Sequence, residues 1–295
     1  MAERAARGEA AAFDPRVTPL RPGPGGQEPV RARPGDGRLY EVGDPAAPLR
    51  QAPSPDAPLD TEALMGERVM VYETTEEGWA WGQLEADGYV GFLPTGALRD
   101  PGSAPTHKVA ALRTLVFPGP SIKLPPVESL ALGCRLAVAR SEPPFAVTAS
   151  GGYVPARHLV PLDSNETDFV AVAERFLGAP YLWGGKTNLG LDCSGLVQVA
   201  LTACGAPCPR DSDMQERALG TLIAPSPDIS MLRRGDLLFW KDHVAIVRGQ
   251  ATLIHANAYH MAVVSEPIAE AIARIRAAGS EPTSVRRLEQ PARVG

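Results

Sequence analysis

The chain is poor in cysteine, has no surplus of positive charge and contains no long apolar run. It has four cysteines in 295 residues, too few for a scaffold held together by disulfide bonds. Its formal net charge is −5 at pH 7, which argues against nucleic acid as the main partner. No run of about 18 apolar residues occurs, so the sequence predicts no membrane span.

The first residues also lack the features of a secretory leader. They read MAERAARGEAAAFDPRV, without the apolar segment of about 7–15 residues that a signal peptide carries. We therefore expect a cytoplasmic protein. Hydrophobic residues make up 44% of the chain and charged residues 21%, which is typical of soluble globular proteins, and the length predicts two or three domains.

The N-terminal half begins with a segment rich in Pro, Gly, Ala and Arg and continues with two similar stretches. We interpret residues 1–45 as a partly extended arm. The stretches 46–104 and 105–163 each contain a glycine before a short alternating apolar run, and each later contains a Gly-Tyr-Val strand. Alternating strands separated by turn residues are typical of small β-barrels. The sequence therefore predicts two consecutive barrels.

Between residues 164 and 295 the pattern changes to helices followed by strands. Apolar residues at helical spacing predict a helix from Asp168 that ends at Gly178, and a second helix in CSGLVQVALTACG. Strands are predicted in DLLFW, HVAIV and ATLIHA, then a helix in PIAEAIARIRAAG and a last edge strand in SVRRL. Helices followed by antiparallel strands predict an α+β domain.

One cysteine stands at the expected first turn of the second helix of this domain. Cys193 lies between Asp192 and Ser194. The positive end of the helix dipole and the free amides of the first turn both favour a thiolate, which is the nucleophilic form. A lone cysteine is more often an ordinary buried side chain, so its interpretation as a nucleophile requires a histidine partner.

Two of the five histidines stand on consecutive predicted strands. A three-residue turn centred on Gly249 pairs residues whose numbers add up to 498, and His243 and His255 satisfy this sum. Their side chains would then share one face, with Cβ atoms roughly 4.5–5.5 Å apart. One imidazole would accept the thiol proton and the second would orient the first. A shift of one residue would place them on opposite faces, so two unrelated strand histidines are the alternative. We interpret His260 as a loop residue.

A zinc site is the alternative use of cysteine and histidine. Cys204 and Cys208, in CGAPC, would have to join the two histidines as ligands. Their spacing differs from the usual Cys-x₂-Cys, and no second thiol pair follows, so we expect no metal and no other cofactor. We interpret Cys134, in the second barrel stretch, as a small core residue.

Several ordered motifs resemble the NlpC-type cysteine peptidases of the papain-like superfamily. They are PYLWGGKTNLGLDCSGLVQVAL, PRDSDMQ, RGDLLFW, HVAIV and LIHANA. The resemblance covers about 168–290 and implies a papain-like α+β domain in which Cys193 is the nucleophile, His243 the base and His255 the orienting residue. The stretches GERVMV and DGYVGF resemble the bacterial SH3-like domains that precede this domain in γ-D-glutamyl-L-diamino acid endopeptidases. They imply that both barrels are SH3-like.

The resemblance also implies which residues line the cleft and contact the substrate. Tyr181 and Trp183 would line the cleft, with Tyr181 near the oxyanion position. A free α-ammonium group on the substrate calls for a carboxylate and an aromatic hydroxyl. The expected substrate contacts are Asp211, Ser212, Ser194, Asp192, Tyr89 and Glu67. Asp192 is also suited to cap the helix, Tyr89 to be a barrel-edge aromatic, and Glu67 to be a solvated surface charge.

Enzymes with this layout cut the bond between D-γ-glutamate and meso-diaminopimelate or lysine in murein peptides that have a free N-terminal L-alanine. The resemblance therefore implies a cysteine peptidase that processes murein-derived peptides in cell-wall recycling, without nucleic acid or membrane partners. The alternatives are a muropeptide-binding module with an inactive peptidase fold, and an exported endopeptidase or amidase that acts on intact murein.

Overall fold

The structure consists of three packed units preceded by a short N-terminal ribbon. The computed structural model describes residues 14–21, 30–32, 36–224, 229–249 and 251–288. The ribbon is formed by β1 (Leu20–Arg21) and β2 (Val30–Arg31), which pair in antiparallel fashion. Both strands lie within the segment that we predicted as an arm. The amide of Val90 donates a hydrogen bond of 2.7 Å to the carbonyl of Arg16, so this segment packs against the first unit.

The first unit is one antiparallel sheet of seven strands in the order β5-β4-β8-β7-β6-β3-β9. Its strands are β3 (Arg38–Val42), β4 (Ala46–Arg50), β5 (Leu59–Leu64), β6 (Arg68–Thr74), β7 (Trp79–Leu84), β8 (Val90–Pro94) and β9 (Leu98–Arg99). Alternate residues of these strands, among them Val42, Leu49, Val69 and Leu93, form a buried core. Strand β3 lies before residue 46, so the unit includes residues that we had predicted as part of the arm.

The second unit distributes its strands over three small antiparallel sheets, β13-β10-β17, β11-β12 and β14-β15-β16. These are β10 (His107–Val109), β11 (Arg113–Val116), β12 (Glu128–Ala131), β13 (Arg135–Leu136), β14 (Val138–Glu142), β15 (Phe145–Thr148), β16 (Tyr153–Pro155) and β17 (Leu159–Pro161). In both units a 3₁₀ turn leads into a short last strand, and that strand pairs with the first strand of its own sheet region. The two predicted repeats therefore end in the same local structure.

The third unit is a six-stranded antiparallel sheet with helices on both faces. Its helices are α1 (Phe169–Glu174), α2 (Cys193–Ala203), α3 (Ser212–Ala218) and α4 (Ile268–Ala277). Its strands are β18 (Lys186–Thr187), β19 (Gly190–Leu191), β20 (Thr221–Ala224), β21 (Asp236–Trp240), β22 (His243–Gly249), β23 (Thr252–Asn257), β24 (Ala262–Pro267) and β25 (Pro282–Arg287). The sheet order is β20-β25-β21-β22-β23-β24, and β18 pairs with β19 separately.

The structure confirms the predicted helices α1, α2 and α4 and the predicted strands β21, β22 and β23. The prediction that the last strand lies at an edge was wrong, because β25 is enclosed between β20 and β21. Strand β20 and helix α3 were not predicted. Among the described helices, none is both long enough and apolar enough to cross a membrane.

Buried polar contacts connect the first unit to the third. Lys186 Nζ lies 3.2 Å from Glu67 Oε2, and both side chains are at least nine-tenths buried. Arg210 Nε donates a hydrogen bond of 2.8 Å to the hydroxyl of Thr61 on β5. A cavity of about 660 Å³ lies between the three units, with Glu67 and Lys186 in its wall. This ion pair and this hydrogen bond fix how the first unit sits on the third.

A close backbone approach joins the first unit to the second. Gly66 has a φ of 80°, and a Cβ at this position would lie 2.4 Å from the carbonyl oxygen of Arg135. The amide of Arg135 donates to the carbonyl of Met65 at 2.8 Å. Only glycine combines this backbone conformation with such a short separation. The first glycine of the repeat is therefore needed for contact between the two β units.

We predict that Lys186→Met lowers the free energy of unfolding by about 3–5 kcal/mol, because it leaves the buried Glu67 carboxylate without its cation. The double variant Glu67→Gln/Lys186→Met should recover most of this loss, since no charge then remains in the interface. Urea denaturation followed by circular dichroism measures both. Equal destabilisation by the single and double variants would contradict the prediction.

Candidate active site

Helix α2 begins at Cys193, as the sequence predicted, and Asp192 is its N-cap residue. Asp192 Oδ1 accepts a hydrogen bond of 2.7 Å from the amide of Gly195, and Oδ2 accepts one of 2.8 Å from the amide of Gly184. The acidic residue before the cysteine therefore satisfies one free amide of the first helical turn. It also fixes the preceding glycine-rich loop against the start of the helix.

A buried arginine completes this arrangement. Arg210 is 1% exposed and donates to both carboxylate oxygens of Asp192, at 2.9 and 2.7 Å. It also donates to the hydroxyl of Ser194 and to the carbonyl of Gly185. Asp192 and Ser194, both predicted as substrate contacts, thus have their polar atoms engaged by the protein. Sequence reasoning did not single out Arg210, although it stands in the quoted motif PRDSDMQ.

The two strand histidines are in direct contact. His243 Nε2 lies 2.9 Å from His255 Nδ1, and the ring centroids are 5.0 Å apart. The register differs from the predicted one: Ile246 lies opposite Ile254, so paired numbers add up to 500, with a bulge before Gly249. A shift of two residues keeps both rings on the same face but places them diagonally, a separation that imidazole rings can bridge.

The thiol of Cys193 lies at the start of the strand that carries the first histidine. The backbone amide of Val244 hydrogen-bonds to the sulfur and acts to lower the pKa of the thiol. Val244 follows His243, which is the first residue of β22. Asp242, before it, has a φ of 61° in the two-residue turn after β21. This tight turn brings the beginning of β22 to the beginning of α2.

Burial determines the ionisation of these groups. It raises the pKa of Cys193 to about 12, with a further increase from Asp192, and this outweighs the opposing effects of the Val244 amide and Arg210. Burial also lowers the pKa of His243 to about 3, helped by His255 and Arg274. The sequence predicted a thiolate stabilised by the helix dipole and the free amides of the first turn. In the structure, the neutral thiol and the neutral imidazole are favoured.

A cleft of about 600 Å³ opens beside the cysteine. Its wall contains many of the residues that the sequence analysis selected, namely Cys193, Tyr181, Trp183, Asp192, Ser194, Asp211, Ser212 and Tyr89. Tyr181 is half-buried, and burial with the nearby Cys193 raises the pKa of its hydroxyl, so it is a hydrogen-bond donor at neutral pH. Trp183 is 61% exposed at the rim.

One end of the cleft is acidic and is built by three parts of the chain. Tyr89, from the first unit, donates its hydroxyl to Asp211 Oδ2 at 3.0 Å. Arg16, from the N-terminal segment, donates to the same oxygen at 2.9 Å and also binds Asp213. Asp60, on β5, completes this wall. Among the described residues that line the cleft, five are aspartates and two are arginines, so the cleft favours a cationic group.

Burial raises the pKa of Asp211, and Arg210, Tyr89 and Arg16 oppose this effect. Burial likewise raises the pKa of Asp60. Sequence reasoning missed Asp60 and Arg16. Asp60 has no distinctive neighbours in the sequence, and Arg16 lies in a segment whose composition suggested an arm.

The structure does not bring Glu67 to the cleft. Its carboxylate accepts the amide of Leu64 at 2.8 Å, pairs with Lys186 and faces the cavity between the units. Glu67 therefore makes a buried interface contact and is neither a substrate contact nor a solvated surface charge. His260 lies in the loop after β23, and its amide donates to Asn257, as expected for a loop residue. Cys134 is buried in the core of the second unit.

All four cysteines are free. Among the described residues, no group of three or more His, Cys, Asp or Glu side chains is arranged to hold a metal ion.

Two parts of the chain match known families. Residues 49–98 match the bacterial dipeptidyl-peptidase SH3 domain, and residues 178–277 match the NlpC/P60 family. A crystal structure of an NlpC/P60 family protein from Bacillus cereus superimposes with a TM-score of 0.71 at 21% identity, covering 86% of this chain and all of that one. This likeness establishes the fold and, with the family match, confirms the predicted papain-like α+β class of the third unit.

Three curated relatives are named dipeptidyl-peptidases. The γ-D-glutamyl-L-lysine dipeptidyl-peptidase of Bacillus cereus is 26% identical over 230 residues, which are 67% of each chain. Its namesake from Bacillus subtilis is 28% identical over 69% of this chain and 70% of that one. Dipeptidyl-peptidase 6 of Lysinibacillus sphaericus is 33% identical over 118 residues, and the chain spans 42% of its length. The chain therefore contains an NlpC/P60 peptidase-family domain preceded by a bacterial dipeptidyl-peptidase SH3 domain.

Proposed function

We propose that the protein is a cysteine peptidase that hydrolyses the bond between γ-D-glutamate and the following diamino acid in murein peptides with a free N-terminal L-alanine. The observation that carries this proposal is the hydrogen bond of 2.9 Å between His243 and His255 at the strand start beside the Cys193 sulfur. The names of the two γ-D-glutamyl-L-lysine dipeptidyl-peptidases support the same substrate class.

The proposed reaction is acyl transfer through a thioester. His243 accepts the thiol proton through Nδ1 as the sulfur of Cys193 attacks the γ-carbonyl carbon of D-glutamate. The imidazolium then donates this proton to the leaving amine of the diamino acid. Water attacks the thioester with His243 as base, which releases L-alanyl-D-glutamate and restores the thiol. Tyr181 is the proposed donor to the oxyanion.

The acidic end of the cleft is the proposed site for the α-ammonium group of the substrate. Arg16 and Tyr89 both bind Oδ2 of Asp211, so Oδ1 is the oxygen that we assign to the ammonium. Asp60 lies in the same wall. An N-terminal amine held there restricts the enzyme to removing a dipeptide from the free end of the substrate. Ser212, in the same cleft, is proposed to contact the peptide.

The second β unit is proposed to be SH3-like as well, because it ends in the same 3₁₀ turn and closing strand as the first. We also propose that the reaction takes place in the cytoplasm during recycling of cell-wall peptides. A small cleft with an acidic end suits short peptides with a free amine better than a cross-linked polymer.

The nucleophile assignment predicts that Cys193→Ala lowers turnover of L-Ala-γ-D-Glu-meso-diaminopimelate by at least about 10³-fold. Mass spectrometry of the products measures this, with Cys204→Ala, which lies outside the cleft, as the control that should keep full activity. Residual turnover in Cys193→Ala close to wild type would contradict the assignment. Tight binding of the tripeptide by the wild-type protein without any turnover would instead favour a binding module.

The ammonium site predicts that Asp211→Asn and Asp60→Asn each raise KM for this tripeptide by about 10–100-fold, because each removes a charge-assisted contact. Acetylation of the alanine amine should raise KM of the wild-type enzyme by a similar factor. For the acetylated substrate, the two variants should have the same KM as the wild type. Asp100→Asn, at an exposed ion pair with Arg38, is the matched control. If the variants raised KM equally for the free and the acetylated substrate, the assignment of the ammonium site would be wrong.

The same carboxylates predict a pH dependence of KM. Burial raises the pKa of both Asp60 and Asp211 above 3.8, so they become protonated at a higher pH than exposed aspartates. As pH falls through these pKa values, the ammonium loses its anionic partners and KM rises. Steady-state kinetics between neutral and acidic pH should show this rise for the free tripeptide, whereas KM for the acetylated substrate should stay constant.

A further inference from the structure

We propose that Glu266 is a positioning residue of this site, which fixes the tautomer of both histidines and, together with Arg274, sets the basicity of His243. The inference rests on the proposed function, in which His243 is the base. It adds a carboxylate on a third strand and a cation on helix α4 to the two histidines.

The four side chains form a continuous chain across three neighbouring strands. His255 Nε2 lies 2.7 Å from Glu266 Oε1, and its Nδ1 lies 2.9 Å from His243 Nε2. His255 is opposite Val264 on β24, and Glu266 stands two residues further, on the same face. Each of the two steps between strands is thus a diagonal contact. Arg274, from α4, binds the same Oε1 atom of Glu266.

The carboxylate determines where the imidazole protons lie. Burial raises the pKa of Glu266, but the bond from His255 and the charge of Arg274 outweigh this and hold it below its usual value, so Glu266 is an anion at neutral pH. An anionic carboxylate only accepts, so His255 must carry its proton on Nε2. Nδ1 of a neutral His255 is then an acceptor, and His243 must donate from its own Nε2. This leaves Nδ1 of His243 unprotonated and free to take the thiol proton.

The charges around His243 and His255 have opposite effects on the pKa values of the two imidazoles. The groups that act on the histidines are Glu266 on β24, Arg274 on α4 and, for His255, His260 in the loop after β23. The Cys193 thiol on α2 lies beside Val244, the residue after His243. Glu266 raises the pKa of both histidines, whereas Arg274 lowers the pKa of both. Removing the Glu266 charge therefore lowers the pKa of His243, whereas a loss of packing would raise it by relieving burial. Removing the Arg274 charge raises the pKa of His243, so the two charge variants should shift it in opposite directions.

The contact between Glu266 and His255 is better suited to adjusting the basicity of the histidines than to holding the fold together. His255 is 1% exposed, whereas the Glu266 side chain is 14% exposed and the Arg274 side chain 24%. A neutral acceptor at position 266 would satisfy the Nε2–H of His255 equally well, so the carboxylate supplies charge in addition to a hydrogen bond.

The test compares Glu266→Gln with Arg274→Gln in the full-length protein, using L-Ala-γ-D-Glu-meso-diaminopimelate as substrate. The side-chain amide oxygen introduced by Glu266→Gln can keep both hydrogen bonds but carries no charge. We expect kcat to fall on the order of 10-fold in Glu266→Gln, with KM within about twofold, because the base is weaker. The acid limb of kcat/KM should lie at lower pH in Glu266→Gln than in Arg274→Gln. Arg276→Gln, on the exposed side of α4, should leave the profile unchanged.

A second measurement does not depend on turnover. The chain has only five histidines, so selective ¹⁵N labelling and His→Gln variants assign their signals. At neutral pH, long-range ¹H–¹⁵N spectra should show His243 with its proton on Nε2 in the wild type and in Glu266→Gln, and a mixture of tautomers in Glu266→Ala. Thermal melts establish that each variant is folded.

Two results would overturn the inference. One is a proton on Nδ1 of His243 in the wild type. The other is an acid limb that shifts in the same direction, or not at all, in the two charge variants. If the wild type does not hydrolyse the tripeptide, the proposed function fails, while the tautomers still test the role of Glu266.

Discussion

The buried ion pair between Asp192 and Arg210 constrains the rest of the site. Asp192 caps helix α2 one residue before Cys193, and Arg210 binds both of its carboxylate oxygens. Arg210 also donates to Thr61 of the first unit. Burying two charges costs free energy, and such a pair is stable only when its remaining donors and acceptors are satisfied, as they are here. One ion pair therefore holds the start of the helix, the glycine-rich loop before it and the first unit together.

Magnitudes explain why the thiol is not ionised in the resting protein. A helix N-terminus stabilises a negative charge by about 0.3–2 kcal/mol. The increase in the pKa of Cys193 from 9.0 to about 12 corresponds to roughly 4 kcal/mol against the thiolate. Desolvation therefore outweighs the dipole. The proposed mechanism consequently depends on proton transfer to a correctly oriented His243 during attack, and the tautomer of that imidazole matters more than a preformed ion pair.

The sequence was most informative where a pattern has a single physical solution. The cap, the apolar spacing and the cysteine defined the start of α2, and the parity of the hairpin placed His243 and His255 on one face. The predicted register was wrong by two residues because a bulge before Gly249 cannot be read from turn length. Glu67 was predicted as a substrate contact from the family resemblance, whereas its carboxylate is used in the interface with Lys186. Arg16, Asp60 and Glu266 were missed because their roles arise only from tertiary contacts between distant segments.

The charge balance of the cleft shows why the N-terminal segment belongs to the site. Arg16 binds Asp14, Asp211 and Asp213 at once, so one guanidinium neutralises part of a dense group of carboxylates. Without it, Asp211 and Asp213 would repel each other and the proposed ammonium site would carry more negative charge than one ammonium group can compensate. With it, the pKa of Asp213 is held at about 2, and Asp211 keeps one oxygen available. The composition of residues 1–45 suggested a partly extended arm, but Arg16 within it pairs with the aspartates at the acidic end of the cleft.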